Sequence, residues 1–127
     1  MSTQKIAYLG NLVRVMVADD TIAASEEKIL KSLCKQMKVP VSTLVDLQKK
    51  AKKMKKLKPM SRFSKTINNI EDCFAVAICD GVFDMEEKKL IYELAKSLKL
   101  DQYHIEKIYL DAVKRLKMDP NEVLHEG

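Results

Sequence analysis

A chain of 127 residues, 46% of them hydrophobic, is long enough for one packed domain and too short for two independent cores. Only three glycines and three prolines interrupt it, which favours an all-α fold. The net charge of +5 comes from 23 basic and 18 acidic residues, and no apolar run has the length of a signal peptide or a membrane span. We therefore expect a soluble, cytoplasmic chain that can also lie peripherally at a membrane.

Three helices are predicted in the first half of the chain. Apolar residues recur at helical spacing over residues 6–16 and again over 29–37. A third helix is predicted from Val41 to about Lys56, because Pro40 before it suits the first turn of a helix. The first half is therefore expected to be a three-helix unit.

The second half of the chain repeats the first. A shift of 61 positions aligns "ADDTIAASEEKILKSLCKQMKV", residues 18–39, with "CDGVFDMEEKKLIYELAKSLKL", residues 79–100, without a gap. One such unit could not bury its apolar face alone, whereas two packed together could. We predict a single domain over residues 1–127, with repeat one at about 5–57 and repeat two at about 61–117.

The repeat predicts three more helices. The fourth ends near Asp80, the fifth begins at Asp84, and the sixth extends from Asp101 to Lys117. The closing "DPNEVLHEG" is expected to add a short turn capped by Asp119. The predicted architecture is a compact all-α bundle of six or seven helices, built from two tandem three-helix repeats.

The stretch "CDGVFDMEEK", residues 79–88, looks like the end of a calcium-binding EF-hand loop. With Gly81 at the sixth loop position, the first and third ligands would be Val76 and Ile78, which carry no side-chain oxygen. The first copy fails the same test. The sequence therefore argues against an EF-hand in either half.

A joint between two helices explains the same stretch. We expect Gly81 to adopt a left-handed backbone conformation and Phe83 to be buried at the turn. Asp84 would cap the next helix, with Glu87 three residues on completing a capping box. In the first copy Ala23 replaces the capping aspartate, so we expect the first joint to be the weaker one.

The cysteines indicate a reduced chain. Cys34, Cys73 and Cys79 are odd in number and lie within hydrophobic helical patterns, which is typical of buried thiols. Cys73 and Cys79 would be roughly 9 Å apart along one helix, too far for a disulfide. The two histidines, His104 and His125, have no ligand partner at a zinc-site spacing.

The stretch "KKAKKMKKLK" is the most polarised feature of the chain. From residue 45 to residue 65, nine basic residues against Asp46 alone give a net charge of +8. Two interpretations stay open: a solubilising helix face, or a site for an anionic partner. With 20 lysines and three arginines in the chain, lipid headgroups or an acidic protein are favoured over sequence-specific nucleic acid. The candidate contact residues are Lys49, Lys50, Lys52, Lys53, Lys55, Lys56 and Lys58.

The paired motifs "ICDGVFDMEEKKLIYELAKSLKL" and "VADDTIAASEEKILKSLCKQMKV" resemble the TerB-like family of bacterial tellurite-resistance proteins, which is also fused to J-domain co-chaperones. The resemblance covers roughly residues 6–110. It implies a bundle of about seven helices, no established catalytic activity and a role in stress responses. It also implies candidate metal ligands at Asp19, Glu26, Asp80 and Glu87, whose alternative role is to satisfy free N–H groups at helix starts.

No catalytic motif is found, since the chain has no Gly-rich phosphate loop and no G-x-S-x-G elbow. We predict a protein that is not an enzyme and has no organic cofactor. The leading hypothesis is a helical interaction module that acts in a protein complex of the tellurite-resistance type. The alternatives are a metal-binding accessory protein and a binder of an anionic surface.

Overall fold

The computed structural model describes residues 3–19 and 24–125. The described part contains six α-helices, two short 3₁₀ turns and one pair of two-residue strands. In chain order these are α1 (Thr3–Met16), a 3₁₀ turn (Val17–Asp19), α2 (Ala24–Met37), α3 (Thr43–Ala51), α4 (Phe63–Ile78), β1 (Val82–Phe83), α5 (Met85–Ser97), α6 (Gln102–Arg115), a second 3₁₀ turn (Pro120–Glu122) and β2 (Leu124–His125). The predicted all-α fold class is confirmed.

Helix α4 forms the centre of the bundle. Every residue from Cys73 to Ile78 is buried, so the second half of this helix faces protein on all sides. It packs against α1, α5 and α6, while α1 packs in turn against α3. A helical segment that is apolar all round must lie in the core, and residues 73–78 of α4 have that composition, whereas the first half of the helix carries exposed polar residues.

The two halves share local features at the predicted shift of 61. Lys38 and Lys99, which are equivalent at this shift, both have a left-handed conformation, with φ of 58° and 64°. After each of them, the next N–H donates to a carbonyl five residues back: Val39 to Cys34 at 2.9 Å and Leu100 to Ala95 at 3.3 Å. Such bonds terminate a helix by satisfying its last carbonyls. The ends of α2 and α5 are therefore built alike.

The joint between α4 and α5 has the predicted construction. Gly81 has a φ of +87°, and its N–H donates to the carbonyl of Ile78 at 2.8 Å. Phe83 is buried, and Asp84 and Glu87 form both bonds of a capping box at the start of α5. In the first copy, Ala23 and the weaker joint predicted around it lie outside the described residues.

The prediction that the third helix continues to Lys56 is wrong, because α3 ends at Ala51. The N–H groups of Lys53 and Met54 donate to carbonyls three residues back, which tightens the chain out of the α-helix. Beyond them, five of the seven residues from 52 to 58 are lysines, whose like charges disfavour a continued helix. The backbone of this segment instead bonds to side chains of α1.

The strand pair was not expected from the sequence. Val82 pairs in parallel with Leu124 and Phe83 with His125, and the N–H of Leu124 donates to the carbonyl of Gly81 at 2.8 Å. Two residues are too few to show strand alternation in a sequence. The short turn before β2 begins with Pro120 after the cap Asp119, as predicted.

Within residues 3–19 and 24–125, no helix is both long enough and apolar enough to cross a bilayer.

Candidate functional site

The lysines of residues 49–58 all lie on the surface. Each of the seven side chains is exposed, and none forms an ion pair with a carboxylate of the described residues. Only Lys49 and Lys50 belong to α3, and the other five follow it in the irregular segment. The residues between them face inward, since Ala51 and Leu57 are buried. All seven predicted contact residues are therefore accessible at the surface.

The backbone of the lysine segment is held by a buried asparagine. The Asn11 side chain is fully buried and donates to the Lys58 carbonyl at 2.7 Å, while its carbonyl oxygen accepts from the Lys58 N–H at 3.0 Å. Arg14 Nε donates to the carbonyl of Met54 at 2.6 Å. These bonds replace the helical bonds that the segment lacks. They fix the positions from which the lysines project.

A second asparagine holds the first in place. Asn11 Nδ2 donates to Asn69 Oδ1 at 2.6 Å, and Asn69 Nδ2 donates to the carbonyl of Tyr8 at 3.1 Å. Both asparagines are completely buried among mostly apolar residues of their helices. Sequence reasoning missed them. The available signal was a polar residue among the apolar positions of two predicted helices.

The predicted metal ligands whose side chains are described lie in two different environments. Asp80 is exposed, and its Oδ1 accepts from the Val82 N–H at 3.0 Å. Glu26 and Glu87, which are equivalent in the repeat, are both only 5% exposed. Glu87 Oε1 accepts from the Asp84 N–H at 3.2 Å, which is the role in helix capping that the sequence offered as an alternative. The side chain of Asp19 lies outside the described residues.

Three of these carboxylates are neighbours of one thiol. Burial raises the pKa of Cys79 to about 11, a hydrogen bond with Ser25 opposes the rise, and the negative charges of Glu26, Asp80 and Glu87 add to it. The thiol is therefore protonated at neutral pH and is a poor ligand for a soft metal. Among the described residues, no three His, Cys, Asp or Glu side chains are arranged to hold a metal ion.

A polar network that the sequence did not predict lies in an open groove of about 490 Å³ between α1, α2, α4 and α6. The Tyr8 hydroxyl donates to Asp72 Oδ2, and Arg115 pairs with Asp72 Oδ1 at 2.7 Å and with Glu71 Oε2 at 2.9 Å. Burial, together with the bond to Asp72 and its charge, raises the pKa of Tyr8 far above its usual value. The hydroxyl keeps its proton, so this network cross-links the helices.

The remaining thiols give no sign of nucleophilic chemistry. Cys34 and Cys73 are buried, as predicted, while Cys79 is only half-buried. Burial raises the pKa of the Cys34 and Cys73 thiols, which is the opposite of the activation that a catalytic cysteine needs.

The model of the family described as tellurite resistance protein TerB aligns with residues 5–110. This covers most of the chain and both halves of the repeat. The chain belongs to the TerB family. Neither curated protein sequences nor solved structures give a match.

Proposed function

We propose that this TerB-family chain is a non-catalytic helical interaction module that acts in a protein complex of the tellurite-resistance type, with an acidic protein as its partner. Its contact surface is the lysine segment, residues 49–58. One observation carries the proposal: seven exposed lysines, free of ion pairs with the described carboxylates, project from a backbone that Asn11 and Arg14 hold in place. A solubilising surface has no need of such a fixed backbone.

The geometry favours an acidic protein over base recognition. Lysine provides a point charge that pairs with any carboxylate or phosphate, whereas reading bases calls for the planar fork of arginine or for aromatic stacking. Among the described residues, the exposed aromatic residue that is nearest in sequence is Phe63, which begins α4. Lipid headgroups offer the same negative charge and are the second arm of the test.

The test uses a fluorescent polyglutamate peptide, vesicles of phosphatidylserine in phosphatidylcholine, and duplex DNA, each over a salt series. In the key variant, Lys49, Lys52, Lys53 and Lys56 become glutamine. Each exposed pair is worth roughly 0.2–1 kcal/mol, so we expect peptide affinity to fall several-fold or more and the salt dependence to flatten. The matched control changes four exposed lysines elsewhere, Lys35, Lys89, Lys96 and Lys114, to glutamine.

The proposal is supported if the peptide binds to the wild type and the control variant but not to the key variant. It fails if both variants lose affinity equally, because net charge alone then explains binding. It also fails if only vesicles or only DNA bind, since the partner is then not an acidic protein.

A second candidate function is the binding of a hard divalent cation by the carboxylates around Cys79. What favours it is that Glu26, Asp80 and Glu87 are close enough to one thiol to raise its pKa. As the described side chains stand they form no ligand set, so binding requires them to rearrange, together with Asp19. Thermal melting with millimolar Ca²⁺, Mg²⁺ or Zn²⁺ tests this, because a ligand of the folded state raises the melting temperature. No shift in the wild type, or an equal shift in Asp80→Asn, removes this candidate.

A further inference from the structure

An open groove lies between α1 and α3, beside the lysine segment. Its volume is about 310 Å³, at the lower end of the roughly 300–1,000 Å³ that is usual for ligand pockets. Such a groove accommodates one or two side chains rather than a cofactor. Its walls are largely apolar and are formed by Ile6, Ala7, Gly10, Leu47, Ala51 and Met54.

Gly10 gives the groove its depth. It lies in the interior of α1, where glycine weakens a helix relative to alanine. The fold does not require a glycine there: the backbone is helical, and an added Cβ would meet nothing within 4 Å. Any larger residue at position 10 would extend into this open space. The glycine therefore keeps the groove open at a cost to helix stability.

Two members of the lysine segment line the same groove. Lys50 and Lys58 are both exposed, and neither is in an ion pair with a described carboxylate. The backbone of Lys58 is fixed by Asn11, which also lines the groove. The groove thus combines an apolar interior with positive charges at fixed places on its rim.

The second half of the bundle has a related groove with a different charge. There Ile67 and Ile108 stand at the positions equivalent to Ile6 and Leu47, but Asp111 replaces Lys50. The position of Gly10 is taken by Glu71, which pairs with Arg115. That groove, of about 510 Å³, is lined by Lys99 and Lys107 as well as Asp101 and Asp111, so its charge is mixed, whereas both charged residues that line the groove between α1 and α3 are lysines.

We propose that the groove between α1 and α3 receives one apolar side chain from an acidic segment of a partner protein, with Lys50 and Lys58 pairing with carboxylates on either side of that side chain. This inference rests on the proposed function, in which the lysine segment contacts an acidic protein. It adds a specificity determinant: the partner is selected by an apolar anchor as well as by charge.

Two synthetic peptides test the proposal: a short polyglutamate peptide with one central leucine, and the same peptide with serine in place of the leucine. Burial of most of a leucine side chain predicts roughly tenfold tighter binding of the leucine peptide. Only three glycines are present, so the amide resonance of Gly10 is readily assigned, and we expect the leucine peptide to shift it. The resonance of Gly81, which does not line this groove, is the internal reference.

The key variant is Gly10→Leu, which fills the groove from within. We expect it to bring the affinity ratio of the two peptides close to one and to leave the salt-dependent binding of the serine peptide unchanged. Ala7→Gln, at an exposed position on the groove wall, is a second variant and is expected to lower the same ratio. It keeps the test open if Gly10→Leu does not fold. Lys114→Gln is the matched surface control.

The outcomes separate this inference from the proposed function. Equal binding of the two peptides to the wild type, or a ratio that both groove variants preserve, overturns the groove while the lysine surface stands. If the Gly10 resonance responds only to phosphatidylserine vesicles, an acyl chain occupies the groove and the proposal is wrong. If the serine peptide loses its binding only in the variant with Lys49, Lys52, Lys53 and Lys56 changed to glutamine, that result supports the proposed function and not the groove.

Discussion

Asn11 and Lys58 are joined by two hydrogen bonds, one in each direction, although 47 residues separate them in the chain. The amide side chain of Asn11 has the same donor and acceptor pair as a peptide group, so it pairs with the backbone of Lys58 as a neighbouring strand would. A buried residue of the first helix thereby fixes the end of the most positively charged segment. The core and the candidate contact surface are thus coupled through one side chain.

Replacing Asn11 by alanine should destabilise the protein by roughly 2–3 kcal/mol. The change removes the partners of the Lys58 N–H and carbonyl groups and of Asn69 Oδ1, and a buried polar group left unsatisfied costs about 1–3 kcal/mol. Urea denaturation measures the loss, and hydrogen exchange should show a less protected Lys58 amide. The exposed Asn68 is the control, and its change to alanine is expected to stay within about 0.5 kcal/mol.

The two described glycines should respond to alanine with opposite signs. Gly10→Ala is expected to stabilise the fold by about 0.5–1 kcal/mol, because the residue is in a helix interior and its Cβ would meet no neighbour. Gly81→Ala is expected to destabilise it by about 1–2 kcal/mol, because φ is +87° at that joint. Thermal melting of both variants checks this. A loss of stability in Gly10→Ala would mean that the groove is closed in solution.

Removal of the Asp84 side chain should cost about 1 kcal/mol. Its carboxylate accepts the Glu86 N–H at 2.8 Å, and Glu87 completes the reciprocal bond of the capping box. The variant Asp84→Ala should therefore melt at a lower temperature, while Asp84→Asn should retain most of the stability. Equal losses in both variants would indicate that negative charge, rather than hydrogen bonding, is what the position supplies.

The fold could be predicted from the sequence wherever the information is local. The helices follow from the spacing of apolar residues, and the joint at 79–88 follows from glycine and a capping box within a few positions of each other. The third helix is the exception, because it ends at Ala51 and the buried Leu57 follows it in the irregular segment. The repeat also predicted which positions are equivalent, and two of them, Lys38 and Lys99, do adopt the same left-handed conformation.

What could not be predicted depends on contacts between distant parts of the chain. The irregular segment after α3 is determined by Asn11 and Arg14, which lie 40 or more residues earlier. The pairing of β1 with β2 joins segments some forty residues apart, and each is too short to show a pattern. The groove at Gly10 was missed for the same reason, since a glycine within a helical pattern is normally a tolerated defect. That Gly10 opens a groove follows only from the residues of α3, Leu47 and Ala51, that line the groove with it.

The helix cap at Asp101 should make stability depend on pH in the acidic range. The backbone N–H of His104 donates to its carboxylate at 2.9 Å, and the imidazole Nδ1 lies 2.7 Å from the same oxygen. These bonds, the backbone bond first, hold the pKa of Asp101 below its usual value. A carboxyl group with a lowered pKa in the folded state stabilises the fold above its unfolded pKa, near 4 in model peptides, and loses that contribution as pH falls through the folded pKa.

The variant Asp101→Asn should therefore show a smaller fall in melting temperature between about pH 5 and pH 2 than the wild type does. At pH 7 the two should differ little, because asparagine is about as good an N-cap as aspartate. Asp111→Asn, an exposed change in the interior of α6, serves as the control and should follow the wild-type profile. Parallel profiles for wild type and Asp101→Asn would show that the acid sensitivity of the fold arises elsewhere, with the buried Glu26 and Glu87 as the next groups to replace.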